Sequence, residues 1–452
     1  MHSILAAQRQ YFNTDVTKTL AFRQEMLTRL ELALVRWEGD FLDALKADLN
    51  KSPYEAYMSE LGPTLEELRF ARKHLRRWMR PSRRPTPMSQ FPSRSTVYRE
   101  PYGVSLILSP WNYPVYLTLG PLVSAIAAGC TAVVKPGEDA PATAHVLARV
   151  LGEVFPPEYI RVVEGDRTAA EALLEQPFDY IFFTGSPAVG RKVMAAAARN
   201  LTPVTLELGG KSPVILTGDA DLELAARRIA WGKFLNAGQT CVAPDHVWVP
   251  AARQEAFVQA LGRQIEALYG PDPLAGEDLP RIVNQRHFDR LLALMEGARV
   301  AVGGGSDRAR LRIAPTVLTE VTEQSPAMGE EIFGPILPVL SYDSLPELVA
   351  RQKDKPRPLA LYLFTRSSQA ERLVLGSLSY GGGCVNDTIV HLATPHLPFG
   401  GVGNSGMGSC HGKAGFDTFT HEKSVLKKGR LDLPVRYPPY GGKKLSTLKK
   451  LL

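Results

Sequence analysis

The sequence predicts an α/β protein with two parallel-sheet domains, and three observations carry this prediction. Short β-rich runs alternate with helical stretches from about residue 97 to residue 208. The alternation resumes after residue 241 and continues to about residue 364. Such alternation is typical of a parallel sheet with helices on its faces. The length of 452 residues also exceeds one simple core, which favours two or three domains.

The first 80 residues predict helices, because apolar residues step by three and four along one stripe. These residues are Leu27, Leu30, Leu34, Trp37, Phe41 and Leu45. A basic, proline-rich segment follows at 76–87 and predicts a linker or a departing arm. Its arginines lack interleaved aromatic side chains, so a solvated loop is favoured over a nucleic-acid patch.

The later elements follow from the β-rich runs and the helical spacing between them. Predicted strands cover 104–108, 131–135, 160–163, 179–183, 204–208, 246–249, 336–340 and 359–364. Predicted helices lie near 115–128, 141–154, 168–175, 190–200, 251–269 and 286–297. The polar-alternating segment 416–428 predicts an edge strand that pairs with another part of the assembly.

Composition excludes several classes of protein. The 53 Lys and Arg against 46 Asp and Glu give a net charge of +7, which suits anionic ligands but not a dedicated nucleic-acid binder. The four cysteines form no C-x-x-C pair and no His cluster has zinc spacing, so we expect no metal site and a cytoplasmic location. The N-terminus has no signal-peptide pattern.

One uncharged stretch, 115–134, has the length of a membrane span. Gly120, Pro121 and Gly129 interrupt it, and it ends directly in Lys135. We therefore interpret it as a buried helix, a turn and a buried strand, and expect no membrane span.

Loops after parallel strands meet at one edge of a sheet, where ligands bind. The turn TGSPAVG follows a predicted strand and opens a helix, so Gly185, Ser186 and Gly190 could cradle a pyrophosphate. A simple glycine turn is equally consistent with the residues. Lys135 and Glu138 follow another strand and could bind ribose hydroxyls, or form an exposed ion pair.

Three further residues suggest catalysis. Glu207 ends an apolar strand, where desolvation should raise its pKa and suit a general base, unless Lys211 pairs with it. Asn112 in SPWNYP could donate to an oxyanion or cap the helix near Pro114. Cys241 lies in the small, polar run NAGQTCVAPD, where the chain turns, whereas structural cysteines usually lie in apolar runs.

The order of these segments is similar to the successive signatures of the aldehyde dehydrogenase superfamily. The segments are SPWNYP, VVKPGE, FTGSPAVG, LELGGKSP, GQTC, EEIFGP and PFGGVGNSG. The resemblance runs from about residue 20 to about 440, and the 34-residue spacing of Glu207 and Cys241 is highly specific. The phrase CVAPD and the segment 397–424 most resemble the class 3 branch, which oxidises medium or long aliphatic and aromatic aldehydes.

The resemblance implies a role for each catalytic candidate. Cys241 would attack the aldehyde, with Asn112 and the Cys241 backbone N–H holding the oxyanion. Glu207 would activate the water that releases the acid. Glu331, in EEIFGP, matches the glutamate at the nicotinamide ribose and is a second candidate base; the residues alone also allow a helix end and loop there.

The resemblance also implies NAD as the cofactor, with NADP possibly accepted. The matching cofactor positions are Lys135, Glu138, Gly185, Ser186, Gly190, Glu331 and Phe333. Because a carboxylate at Glu138 would repel a 2′-phosphate, NAD is the expected preference. Cys410 beside His411 departs from the family pattern, and Tyr113, Tyr116 and His391 are candidates for the aldehyde channel.

The implied domains are a nucleotide-binding domain, a catalytic domain, an oligomerisation arm and a C-terminal tail. Their ranges are 1–81 with 102–208, 209–391, 82–101 with 392–440, and 441–452, respectively. The arm implies a homodimer. Three alternatives remain at this point: a CoA-acylating aldehyde dehydrogenase, a thiol hydrolase without nucleotide, and a non-catalytic structural or nucleic-acid-binding protein.

Overall fold

The computed structural model describes residues 1–432 and 434–451. Its strands are β1 Ser82–Arg84, β2 Ser93–Pro101, β3 Val104–Leu108, β4 Thr131–Lys135, β5 Ile160–Val162, β6 Tyr180–Thr184, β7 Val204–Glu207, β8 Pro213–Leu216, β9 His246–Pro250, β10 Arg299–Val302, β11 Ser306–Asp307, β12 Arg312–Ile313, β13 Thr316–Thr319, β14 Ile336–Tyr342, β15 Ala360–Phe364, β16 Gly382–Val385, β17 Gly406–Met407 and β18 Thr420–Lys428. Its α-helices are α1 His2–Phe12, α2 Leu20–Arg36, α3 Glu38–Leu49, α4 Pro53–Ala56, α5 Gly62–Trp78, α6 Tyr116–Ala128, α7 Pro141–Val154, α8 Arg167–Leu174, α9 Pro187–Ala198, α10 Leu222–Phe234, α11 Gln254–Tyr269, α12 Gln285–Leu294, α13 Pro326–Gly329, α14 Leu345–Lys353, α15 Ser368–Ser377, α16 Gly412–Thr418 and α17 Gly442–Leu451.

The first large sheet has six strands in the order β17-β7-β6-β3-β4-β5. Strands β3 to β7 run parallel, and only β17 is antiparallel. Every residue of β3, β4 and β6 is buried, because helices cover both faces of the sheet. The predicted alternation of strands and helices is confirmed, with boundaries shifted by up to three residues.

A layer of N-terminal helices covers one face of this sheet. The apolar stripe predicted from Leu27 to Leu45 is buried except for Trp37, which is partly buried, and it packs with α5, α6 and α7 in one hydrophobic cluster. The stripe is shared between two helices, because α2 ends before Trp37 and α3 begins after it. This layer brings residues 51–67 against the loop that follows β3.

The second large sheet has seven strands in the order β10-β13-β14-β9-β8-β15-β16. All of its pairings are parallel except that of β10 with β13. Its buried strands pack against α10 and α11 in a separate hydrophobic cluster. The chain passes from the first sheet to the second through the five residues between β7 and β8.

The predicted arm forms a third, antiparallel sheet in the order β1-β2-β18. The predicted strand 416–428 is wrong at its start, since α16 extends to Thr418 and the strand begins at Thr420. Phe416 and Phe419 are buried in the first core, which keeps this part of the chain helical and packed inward.

Other parts of the predicted arm range 392–440 also lie elsewhere. Strand β17 pairs with β7, and α16 packs against α5 and α6 of the first domain. The pairing of β17 with β7 depends on glycine, because a side chain at Gly406 would overlap the backbone of β7. Residues 433 and 452, in the predicted arm and tail, lie outside the described residues.

The candidate membrane stretch 115–134 divides as predicted. Helix α6 ends at Gly129, whose φ of 93° gives the left-handed turn, and β4 follows. Within residues 1–432 and 434–451, no helix combines the length and the apolar character needed to cross a membrane.

Candidate active site

Four strand ends bring the predicted site residues to one edge of the first sheet. Strands β7, β6, β3 and β4 are successive neighbours and end at Glu207, Thr184, Leu108 and Lys135. Their registers align these ends, since Thr184 pairs with Glu207 and Leu108 with Lys135. The loops that the sequence singled out therefore meet at a single edge, as predicted.

Cys241 lies in a turn where the backbone takes an unusual path. Asn236, Ala237 and Gly238 are all left-handed, with φ values of 52°, 52° and 74°. Left-handed conformations are costly for residues other than glycine and are concentrated at functional sites. A side chain at Gly238 would overlap the carbonyl of Gly334, so the turn packs closely against the EEIFGP loop. Cys241 is half-buried behind this turn.

Glu207 lies at the end of a strand that is paired on both sides. Its neighbours are Thr184 in β6 and Gly406 in β17, and its side chain is 4% exposed. Neither carboxylate oxygen has a hydrogen-bond partner among the described residues. The alternative pairing with Lys211 is wrong, because Lys211 Nζ contacts Asp245 Oδ1 at 2.5 Å.

Asp245 and Lys211 hold the segment that carries Glu331. Asp245 Oδ2 accepts from the Ile332 N–H at 2.9 Å, and Lys211 Nζ donates to the Glu330 carbonyl at 2.7 Å. Burial opposes ionisation of Asp245, but Lys211 and His246 bring its pKa well below the usual range. Neither residue was predicted to be functional, since a carboxylate four positions after Cys241 has no distinctive local pattern.

Glu331 faces the loop that follows β7. A side chain at Gly209 would overlap the Glu331 carboxylate, so that carboxylate lies against Gly209. Gly209 follows Glu207 by two residues in the chain. A cavity of about 630 Å³ opens beside it, and Gly209, Lys211 and Glu331 line this cavity together with Pro187 and Arg191 of α9. The two predicted bases thus lie in one region. Glu207 ends β7 of the first sheet, and Glu331 lies in the loop before β14 of the second sheet.

The thiol and the two carboxyl groups share an electrostatic environment that favours their protonated forms. Burial raises the pKa of Cys241 to about 12, and the charges of Glu331 and Glu207 contribute to the rise. Burial also raises the pKa of Glu331 to about 8 and that of Glu207 well above its usual range. A thiolate at Cys241 therefore requires a nearby group to accept its proton.

Asn112 is tied to the loop of Cys241. Its Nδ2 donates to the carbonyl of Gln239 at 2.9 Å, although the two residues are 127 positions apart. The alternative role as a helix cap is wrong, since no side chain caps α6. One amide N–H remains for another acceptor, because a side-chain amide has two. Next to it, the Tyr113 hydroxyl lies 2.6 Å from Thr240 Oγ1.

The predicted cofactor residues lie on three segments, one after β4, one after β6 and one before β14. Lys135 is 4% exposed, and its Nζ lies 3.0 Å from Glu138 Oε2. The two residues therefore form an ion pair in which the lysine is buried. Ser186 caps α9 through the Val189 N–H at 3.4 Å, and Gly185 donates to the Glu207 carbonyl at 3.0 Å.

Helix α9 begins just after the end of β6. The free N–H groups at such a helix start fit an anionic group. Gly190 lies one turn into α9, where a side chain would overlap Leu208, so packing between helix and strand requires a glycine there. Phe333, with a φ of 50°, packs edge-on to Trp111 with ring centres 5.6 Å apart. The residues thus fit a dinucleotide across the gap between the two sheets.

A cavity of about 330 Å³ adjoins Tyr116 at the start of α6. Its lining includes Tyr57, Met58, Tyr116, Leu392 and His411, together with Glu66 and Glu67. Tyr116 donates to or accepts from His411 Nε2 at 3.0 Å. Burial raises the pKa of the adjacent Cys410, and the charges of Glu207 and Cys241 add to the rise.

The other two channel candidates do not line this cavity. Tyr113 is buried against Thr240, and His391 Nδ1 lies 3.6 Å from Cys384 Sγ. Of the three predicted side chains, only Tyr116 reaches the cavity wall.

Comparison with known proteins agrees with this geometry. The family model described as the aldehyde dehydrogenase family matches residues 1–425. The chain is 48% identical over 438 residues to the 4,4'-diaponeurosporen-aldehyde dehydrogenase of Staphylococcus aureus, covering 96% of this chain and 95% of that protein. It is 43% identical over 441 residues to the dimeric NADP-preferring aldehyde dehydrogenase of Canis lupus familiaris, covering 96% and 97%.

A solved structure gives the same result for the fold. The Mycobacterium tuberculosis aldehyde dehydrogenase complexed with NAD+ superposes with a TM-score of 0.85 at 31% identity, covering 95% of this chain and 90% of that one. Family, relatives and fold therefore lead to one conclusion: this chain belongs to the aldehyde dehydrogenase family.

Proposed function

We propose that Cys241 is the nucleophile in the NAD(P)-dependent oxidation of an aldehyde to a carboxylic acid, which is the activity of this enzyme. The observation that carries this proposal is the convergence of Cys241, Asn112, Glu207 and Glu331 from distant parts of the chain. The thiolate would add to the aldehyde carbon and form a thiohemiacetal. The free amide N–H of Asn112 and the Cys241 backbone N–H would stabilise the oxyanion.

The two carboxyl groups would move protons at different atoms. Glu331, whose pKa of about 8 leaves part of it ionised at neutral pH, would accept the thiol proton. Glu207 in its ionised form would accept a proton from the water that attacks the thioester left on Cys241 once the thiohemiacetal has lost hydride. A desolvated carboxylate without a hydrogen-bond partner is a strong base. Hydrolysis at this glutamate also favours release of an acid over transfer to CoA.

Lys135 and Glu138 would hold the adenosine ribose of the cofactor, and Gly185, Ser186 and the start of α9 would hold its pyrophosphate. Glu331 and Phe333 would border its nicotinamide end. Bound NAD(P) supplies the hydride acceptor for the oxidation. NAD is the proposed preference, since Glu138 would repel a 2′-phosphate, with NADP also accepted.

The domains would divide this work. Residues 1–81 and 102–208 would form the nucleotide-binding domain, and residues 209–391 the catalytic domain. The arm would join two copies of the chain into a homodimer; the canine relative is itself named as dimeric. A cytoplasmic location rests on cysteine usage, which favours a reducing compartment.

We propose apolar aldehydes of medium or long chain, or aromatic ones, as substrates. The cavity beside Tyr116 and His411 supports this class, because Met58 and Leu392 contribute apolar side chains to its wall. The Staphylococcus aureus relative is named for the aldehyde 4,4'-diaponeurosporen-aldehyde.

The test is nicotinamide reduction, followed by absorbance, with short aliphatic, long aliphatic and aromatic aldehydes and with either NAD or NADP. We expect turnover that favours apolar aldehydes and NAD, and that is lost in Cys241→Ala. The control is Cys384→Ala, which removes a second half-buried thiol and should keep full activity. Turnover that survives in Cys241→Ala would contradict the proposal.

A further inference from the structure

A buried ion pair lies beneath the loop of Asn112. Lys51 Nζ and Glu60 Oε1 are 2.5 Å apart, and both side chains are fully buried at 0% exposed. Moving two charges out of water is costly, so such a pair is weak evidence for a contribution to stability. A purpose other than stability is therefore expected, and the remaining contacts of the pair indicate it.

Both members of the pair bind the backbone of the Asn112 loop. Lys51 Nζ donates to the carbonyl of Asn112 at 3.1 Å, and its charge lies 4.1 Å from the ring centre of Tyr113. Glu60 Oε2 accepts from the N–H groups of Val115 at 2.7 Å and Tyr116 at 3.3 Å. The pair therefore holds the loop at Asn112 and at the start of α6.

A second donor reaches the same carbonyl from a different part of the chain. Asn236 Nδ2 donates to the Asn112 carbonyl at 2.8 Å, while the Asn236 N–H donates to Glu55 Oε1 at 2.8 Å. The Asn112 side chain in turn donates to the carbonyl of Gln239. Because two donors fix the carbonyl, the peptide after Asn112 has one orientation, and the side chain keeps its direction toward the turn of Cys241.

The local fold around Glu60 is also unusual. A π-helical turn, Tyr57–Leu61, joins α4 to α5 and carries Glu60. Such turns are rare and occur frequently at functional sites. On the other side, Ser52 caps α4 through the Glu55 N–H at 3.3 Å, directly after Lys51. Two separate local features thus bring the lysine and the glutamate to the same buried point.

We propose that Lys51 and Glu60 are positioning residues that aim the side-chain amide of Asn112 at the developing oxyanion. They act through Asn112, and the inference rests on the proposed role of that residue. Small displacements of a catalytic group lower rates strongly, so loss of this support should appear in the rate of reaction with aldehyde.

The experiment is a double-mutant cycle that joins Lys51→Met with Asn112→Ala, with kcat/KM for aldehyde as the readout. If Lys51 acts through Asn112, Lys51→Met lowers kcat/KM by about tenfold or more in the wild-type background. In the Asn112→Ala background the same change lowers it by less than about twofold, since the amide to be positioned is already gone.

Two further variants keep the test interpretable. Lys51→Met leaves a buried carboxyl without its partner, so Lys51→Met/Glu60→Gln replaces it in the cycle if the single variant does not fold. The matched control is Arg23→Met, which removes another buried cation of the helical layer. Arg23 donates to the carbonyls of Thr17 and Ala127, away from the Cys241 turn. We expect Arg23→Met to lower the melting temperature and to leave kcat/KM within about twofold of wild type.

The outcomes separate the inference from the proposed function. An equal loss of kcat/KM in both backgrounds, or no loss in the wild-type background, overturns the positioning role. Unchanged kcat/KM in Asn112→Ala alone contradicts the proposed function itself, and the inference with it. Glu60→Gln retains an acceptor for the Val115 N–H, so it should lose less activity than Glu60→Leu.

Discussion

At the scale of single residues, the chemistry depends on three acidic groups that burial holds in their protonated forms. Cys241, Glu207 and Glu331 each have a pKa raised by burial, and the charges of the two carboxyl groups add to the rise at Cys241. The surroundings of the two carboxyl groups differ. Glu331 has a carboxylate neighbour, Asp245, and two nearby cations, whereas Glu207 has no hydrogen-bond partner among the described residues.

This difference predicts distinct defects for two matched variants. Glu207→Gln should form the thioester and then fail to hydrolyse it, so rapid mixing with NAD should show one burst of NADH per active site. Steady turnover should then fall by roughly 10²–10⁴-fold, the usual contribution of a general base. Glu331→Gln should weaken the burst itself, because the proton of the thiol loses its acceptor.

Rapid-mixing absorbance distinguishes these two defects in a single measurement. The control is Glu330→Gln, which changes the neighbouring carboxylate that pairs with Arg290 at 3.1 Å. A full burst in Glu331→Gln together with no burst in Glu207→Gln would mean that the two roles are exchanged.

At the scale of elements, β18 is a long strand with one free edge. It pairs with β2 over nine residues, from Thr420 with Pro101 to Lys428 with Ser93. Within the part of the chain that the structure describes, no strand lies on its other side. Val425 and Leu426 are 42% and 47% exposed. An exposed edge with apolar side chains is a template for another chain, which is the physical argument for the homodimer.

The free edge of β18 predicts that the protein is a dimer. Wild-type protein should have the mass of a dimer in light scattering, and Val425→Asp/Leu426→Asp should shift it toward monomer by placing charge at the contact. Arg83→Asp in β1, at the opposite edge of the same sheet, serves as the control and should remain a dimer. A monomeric wild type at working concentration would be incompatible with the proposal.

At the scale of the whole molecule, buried carboxyl groups link stability to pH. Glu67 is 5% exposed, and burial raises its pKa to about 7 from the ordinary 4.5, although the Gly412 N–H donates to it. A raised pKa in the folded state means that the folded protein binds the proton more tightly than the unfolded chain. The resulting stabilisation is complete below about pH 4.5 and is lost as the pH rises through about 7.

Glu67→Gln should remove this pH dependence. Each pKa unit corresponds to about 1.4 kcal/mol, so the shift sets an upper limit of about 3 kcal/mol on the effect. Relative to wild type, the free energy of unfolding of the variant should therefore increase between pH 5 and pH 8.5. Glu347→Gln is the control, because it removes an exposed carboxyl on a separate helix, α14. Parallel pH profiles of wild type and Glu67→Gln in chemical denaturation would refute the linkage.

The sequence by itself determined the fold class, the alternation of strands and helices, and the loops that carry the chemistry. These features depend on local hydrophobic periodicity and on glycine, proline and polar residues at strand ends, all of which are readable along a short window. The small residues around Cys241 likewise indicated a turn before any contact was known. The same reasoning left open whether Glu207 pairs with Lys211 and whether Asn112 caps a helix.

Only the tertiary structure decided those alternatives. Lys211 pairs with Asp245, which lies four positions after Cys241. Asn112 donates a hydrogen bond to the carbonyl of Gln239, 127 positions away. It also placed α16 in the first domain and Lys51 beneath the Asn112 loop. The physical reason is that a buried polar group must find a partner wherever packing brings one, and packing joins residues whose separation leaves no local pattern in the sequence.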